Sequence, residues 1–142
     1  MGNSLKERCD AIEECYEFML AYAAQGLPGD GDNQSGAQVR HLLERSVDAV
    51  AGIADAYASE AREADLQPAA RYDAFLAVLR RDANDSLAAL ELVLAQPVLS
   101  SQLIDNLNAS IHLRALLTDL FLIDEIVKQQ RTHAPSGEAQ PS

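Results

Sequence analysis

Residues 99–131 read LSSQLIDNLNASIHLRALLTDLFLIDEIVKQQR, with no Gly or Pro among them. The run predicts one long helix, but its apolar positions do not keep to one side. At about 100° per residue, Leu103, Ile104, Leu107 and Ile111 make a narrow stripe. Beyond His112, the residues Leu113, Leu116, Leu117, Leu120, Ile123 and Val127 fall on roughly the opposite side. Phe121, Leu122 and Ile126 widen this second half to an arc of about 200°. A helix apolar over that much of its circumference needs either a central place in a bundle or a second subunit against it. The fold expected around it is all-α: a single-domain antiparallel four-helix bundle with a long C-terminal helix.

Working back from this stretch, residues 96–99 leave a link short enough to force a hairpin with a third helix over 68–95, which stops before Pro97. Tyr72, Phe75, Leu76, Leu79, Leu87 and Leu90 line the inner face of that helix, and Asp82 and Ser86 interrupt it. A second helix is expected over 36–63, opened by a capping box of Ser35 and Gln38. Its stripe is Val39, Leu43, Val47, Val50, Ile53 and Tyr57. Gly52 in its middle costs up to about 1 kcal/mol against Ala, which close packing would offset. The first helix, over 4–25, carries Leu5, Cys9, Ile12, Tyr16 and Met19 on one face, acids on the other, and Cys15, Phe18 and Tyr22 on a flank. Between the first two helices, GDGDNQSG (29–36) resembles a calcium loop only in its alternating Asp30 and Asp32. Counted from Asp30, the sixth and twelfth places hold Ser35 and His41 where Gly and Glu are needed, so the segment reads as a solvated loop. The bundle is expected to occupy 1–131. Residues 132–142 have nothing larger than Ala among their apolar residues and two Pro, the composition of a disordered tail.

Hydrophobic residues make up 48% of the chain and aromatics only 5%, so Ala and Leu carry the apolar count, which favours helices. The net charge is −11, from 22 acidic and 11 basic side chains. That field repels phosphate backbones and anionic lipid, so neither nucleic acid nor membrane is an expected partner; such acidity first of all keeps a protein soluble, with a basic partner or mimicry of a nucleic acid as the alternatives. No apolar run is long enough to span a bilayer. Gly2 has Lys6 where a myristoylation signal requires Ser or Thr. Cys9 and Cys15 are about 9 Å apart in rise on one helix and rotated away from each other, so they cannot bridge within it. Reduced thiols in the cytoplasm are the expectation.

Two constellations stand out. Asp82 lies 15 residues before Pro97 and Arg114 lies 17 after it, which in a simple hairpin places them level. With Ser86 and His112 they would form either a register-fixing ion pair or a small polar pocket for a carboxylate or phosphate group. The second is the apolar surface of the final helix, Leu113, Leu116, Leu120, Phe121, Ile123 and Val127, with Phe18 and Tyr22 as a further edge. It predicts an interface, most simply a homodimer. A di-iron site requires Glu-x-x-His on two helices, and none occurs. Cys-x-x-Cys spacing and glycine phosphate loops are absent as well. No catalytic residues, metal or cofactor are therefore assigned. The sequence reads as a non-enzymatic, adaptor- or chaperone-like interaction protein that self-associates through its last helix, with a ligand-binding or enzymatic bundle around Asp82 and Arg114 as the alternative.

Overall fold

The computed structural model describes residues 4–31 and 33–133. It contains five helices and, among these residues, no strand: α1 (Ser4–Ala24), α2 (Gln34–Glu63), α3 (Ala69–Leu94), α4 (Ser101–Ala109) and α5 (His112–His133). The first three agree with the expected spans to within two residues. The expected final helix does not form as one piece. The tail expected from residue 132 begins inside α5, and residues 134–142 lie outside the described chain.

The break falls where the apolar stripe changes sides. Ser110 N–H caps α4 through the carbonyls of Asn106 and Leu107, and its hydroxyl takes the Leu107 carbonyl at 2.6 Å. Ser and Asn side chains near the backbone offer such competing bonds, which weakens helix continuation. Ile111 then adopts φ 63°, a left-handed conformation that a β-branched residue strongly resists. The turn changes the helix direction, so Ile104 and Leu107 before it and Leu113, Leu116 and Leu120 after it all reach the same core. A short helix and a longer one, of nine and 22 residues, thus take the place of one helix with two incompatible faces. Both α4 and α5 lie against α1 and α3.

α2 begins at Gln34, two residues earlier than the Ser35 capping box predicts, because Asn33 Oδ1 accepts from Gly36 N–H and caps the first turn. Across α1 and α2, the Arg8 guanidinium donates to the carbonyls of Asp48 (2.8 Å) and Ala49 (3.3 Å). Gly52 makes room for it, since a Cβ there would stand 2.5 Å from Arg8 Cζ. The close packing that compensates this glycine is therefore against a cation, not another backbone. The centre of the core includes Ile12, Met19, Leu43, Ile53, Leu79 and Leu116, each with no exposed surface. Each such side chain contributes about 1.5–3 kcal/mol relative to exposure.

One end of the molecule is closed by a polar clamp. The Asp30 carboxylate accepts from Leu99 N–H at 2.7 Å and from Arg40 Nε at 2.8 Å. Arg40 also reaches the carbonyls of Leu94, Gln96 and Pro97 at 3.4–3.5 Å, gathering the end of α3. Tyr22 donates its hydroxyl to the Leu99 carbonyl (2.7 Å), and the Ser101 hydroxyl donates to the Tyr22 carbonyl (2.6 Å) while accepting from Leu27 N–H. Gly36 packs so closely on Asp30 that a Cβ would collide with its backbone. The solvated-loop reading of this segment is thus wrong for Asp30, which ties the first loop to the link before α4. Asp32 is outside the described residues.

Candidate functional site

The four residues expected to share a polar pocket are not brought together. Arg114 and His112 are exposed, Ser86 is buried, and Asp82 is half-buried on the α5-facing flank of α3. Counting residues from Pro97 treats 99–131 as one rod. With α4 folded as a separate helix, the residue opposite Asp82 is Asp119, five positions further along. The same displacement brings Gln130 to the start of α3, where its amide donates to the Tyr72 hydroxyl at 3.0 Å and the Gln67 carbonyl at 3.3 Å.

Asp82 therefore faces a carboxyl rather than a guanidinium. Burial, then the hydrogen bond with Asp82 and its charge, push the Asp119 carboxyl up to about 7. Asp119 Oδ2 is buried and has no hydrogen-bond donor, and one turn along from Asp82 the buried Ser86 Oγ also has none.

The interface expected on the final helix is largely core. Leu113, Leu116, Leu120 and Ile123 are buried within this single chain, as is Tyr22. Val127 and Phe18 are half-buried. Only Phe121 of that set is truly exposed, at 53%. The apparent surplus of apolar surface came from drawing two helices as one; once α5 turns at Ile111, most of it points inward.

What surface remains is concave. α1, α2 and α5 enclose a groove of about 360 Å³, at the small end of the range for ligand sites. Its floor is apolar, made by Leu5, Tyr57, Leu66, Leu120, Ile123 and Val127, with Phe121 at its edge. Asp10, Glu13, Glu60 and Asp124 stand around it, with Lys6 as the cation among the lining residues. Lys6 Nζ bonds Asp10 Oδ2 at 3.0 Å and acts on Glu13 and Asp124 through its charge alone, so one cation stands against four carboxylates.

Cys9 lies among these groups and registers all of them. Burial first, then the charges of Glu13, Asp124, Asp10 and Glu60, push its thiol up to about 12. A thiol so placed is protonated at neutral pH and is a poor nucleophile. Glu13 is itself raised, by burial and then by Asp10 and Glu17. Cys15, in the core beside Ser46, is likewise pushed up to about 12, mainly by burial, and has no route to chemistry. Among the described residues, no group of three or more His, Cys, Asp or Glu side chains converges as a metal site, and no helix is long and apolar enough to cross a membrane.

Sequence reasoning missed this groove because its parts come from three distant segments. Leu5 and Cys9 read as ordinary face positions of the first helix, and no pattern in the sequence singles out Glu60 or Asp124. A second, shallower groove of about 250 Å³ runs between the start of α3 and α5, lined by Tyr72, Phe75, Leu122 and Ile126 among others. Comparison with protein-family models, curated proteins and solved structures gives no match for this chain.

Proposed function

We propose that this chain is a non-enzymatic interaction protein whose α1–α2–α5 groove receives a basic, apolar segment of a protein partner. The carrying observation is the combination of an apolar floor with carboxylates converging from three helices, which the Cys9 thiol senses together. A partner helix could seat one or two apolar side chains in a cavity of this size, against Phe121, while flanking Lys or Arg meet the rim. The net charge of −11 favours such a partner at long range and opposes a second copy of the same chain in the groove. The homodimer reading is weakened by the burial of Leu113, Leu116, Leu120 and Ile123 and keeps Phe121 and Leu122 as its exposed apolar residues. The scaffold is read as an antiparallel bundle, supported by the pairings Arg8–Asp48 with Glu14–Arg45, and Asp82–Asp119 with Tyr72–Gln130. A cytoplasmic place and an adaptor-like role belong to the same reading.

The test uses a labelled synthetic amphipathic helix of Leu and Lys as probe, followed by fluorescence anisotropy at low and high salt. Reversing Glu60 and Asp124 together to Lys should weaken binding by about tenfold or more, equivalent to about 1.4 kcal/mol. The same reversal at exposed Glu44 and Glu91, away from the groove, should change it far less. Equal weakening by both pairs would mean that the probe reads net charge alone and would overturn the groove.

A further inference from the structure

Asp119 and Asp82 come from different helices, α5 and α3, and their carboxyls meet within hydrogen-bonding reach. Two carboxylates so close cannot both ionise without repulsion, and the stable arrangement is one proton held between them. Among the described residues no cation acts on Asp119 to offset that repulsion. From α3 the charged group acting on Asp119 is Asp82, and no charged side chain of α1 or α4, the other described helices against α5, acts on it. Arg114, on α5 itself, is exposed and does not act on Asp119. The Oδ2 atom of Asp119 is buried with no donor from the rest of the described chain, so no other hydrogen bond there favours the ionised carboxylate.

The position of the pair gives it a consequence. Leu120, Phe121 and Ile123, immediately after Asp119, form part of the groove described above. Leu122 and Ile126 line the second groove together with Phe75 and Tyr72 of α3. A change in how the middle of α5 sits on α3 therefore reaches the groove floor through adjacent residues of one helix.

We infer that Asp82 and Asp119 form a proton-controlled latch that holds α5 on α3, tight in mild acid and loosened toward neutral pH, and that it thereby regulates the α1–α2–α5 groove. The second half rests on the proposed function; the first does not.

The direction follows from proton linkage. A carboxyl raised in the closed state to about 7 binds its proton more tightly there than in the opened state, where it is ordinary. The closed state is therefore fully favoured below the ordinary value of about 4, loses that advantage as pH rises, and changes no further above about 7.

Three readouts on the full chain test this. Carboxyl-carbon NMR should show Asp119 titrating near neutrality, and moving toward the ordinary range in Asp82→Asn. Hydrogen exchange of α5 amides around Leu116–Ile123, corrected for intrinsic rates, should lose several-fold protection between about pH 5 and pH 7 and then level off. Amides of α1 and α2 should not follow. In Asp119→Asn, where the side-chain amide takes the place of the shared proton, α5 protection should stay at its acid level throughout. Ionisation of both carboxyls below about pH 5, or α5 protection parallel to α1 and α2, would overturn the latch. The Leu/Lys probe then separates the two claims. If it binds wild type and Asp119→Asn with the same pH dependence, regulation of the groove is refuted while the latch stands. If it binds neither at any pH, the groove function fails and the exchange result still decides the latch.

Discussion

Replacing Asp30 by Ala removes a carboxylate that joins the α1–α2 loop to the link before α4. Its side chain is 9% exposed, with Arg40 Nε at 2.8 Å and Leu99 N–H at 2.7 Å. Hydrogen bonds to charged groups contribute about 1.5–3 kcal/mol each, so the two together set a ceiling near 6 kcal/mol. Arg40, whose side chain is 30% exposed, regains some hydration in the variant and keeps its carbonyl contacts. Leu99 N–H, in contrast, is left part-buried without an acceptor. The expected loss is about 3 kcal/mol, read as a fall of about 1–2 M in the urea midpoint followed by circular dichroism. Asp30→Asn retains an oxygen for Leu99 and should lose about half as much. The pH dependence supplies an independent check. Burial alone would raise the Asp30 carboxyl, but the Arg40 bond, the backbone N–H bonds and the Arg40 charge outweigh it and leave it lowered. Its stabilisation is therefore complete above the unfolded value of about 4 and lost as pH falls through the folded one. The gap between wild type and Asp30→Ala should accordingly narrow in that acid range. A loss under about 0.5 kcal/mol, within the range of surface substitutions, or a gap that persists unchanged in acid, would refute the clamp.

Two further substitutions test the turn and the glycine seat. Ile111→Gly should stabilise the chain by about 1 kcal/mol: the residue is 52% exposed, so little burial is lost, and the left-handed φ of 63° is relieved. Thermal unfolding should move upward by a few degrees, and a downward shift would mean that Ile111 is not strained there. Gly52→Ala gains about 1 kcal/mol of helix propensity but displaces the Arg8 guanidinium from Asp48 and Ala49, so in wild type the two effects nearly cancel. In an Arg8→Ala background the gain should appear in full, and additivity of the pair in chemical denaturation would show that the guanidinium does not occupy that space.

The spans of α1, α2 and α3 were legible because each carries one consistent apolar stripe between clear stop signals. The division between α4 and α5 was written in the same pattern. Leu103, Ile104 and Leu107 on one side, and Leu113, Leu116 and Leu120 on the other, are incompatible with one straight helix sharing one core. The polar cluster of Asn106, Asn108 and Ser110 marks where continuation is weakest. Without Gly or Pro at that point, local propensity gave no reason to stop, and tertiary packing decided it. The cost of forcing Ile111 into a left-handed turn is about 1–2 kcal/mol, less than burying even two of the leucines beyond it returns. The Asp82–Arg114 level match failed for the same reason, since it assumed one continuous axis. Asp30 was misread because an aspartate in a Gly-rich segment gives no sign of a cation ten residues away and a backbone N–H at Leu99.

Charge remained informative where apolar counting did not. An apolar arc on a sequence wheel can be absorbed by a change in helix direction, as α5 shows, so it does not by itself imply a partner. Carboxylates cannot be absorbed in that way: each must be solvated, paired or protonated. In this chain the three outcomes separate by place. Asp30 is paired within a closed polar clamp, Asp119 is pushed toward its protonated form by burial and Asp82, and Glu60 and Asp124 stand at an open groove with no cation of the described chain bonded to them. The last arrangement is the one that a basic partner can improve. Attraction there adds to the apolar contact of the floor, while the same charges elsewhere on the surface are already hydrated. Salt dependence should therefore be steepest for the part of binding that depends on Glu60 and Asp124, and the apolar contribution of Phe121 should persist when that part is screened.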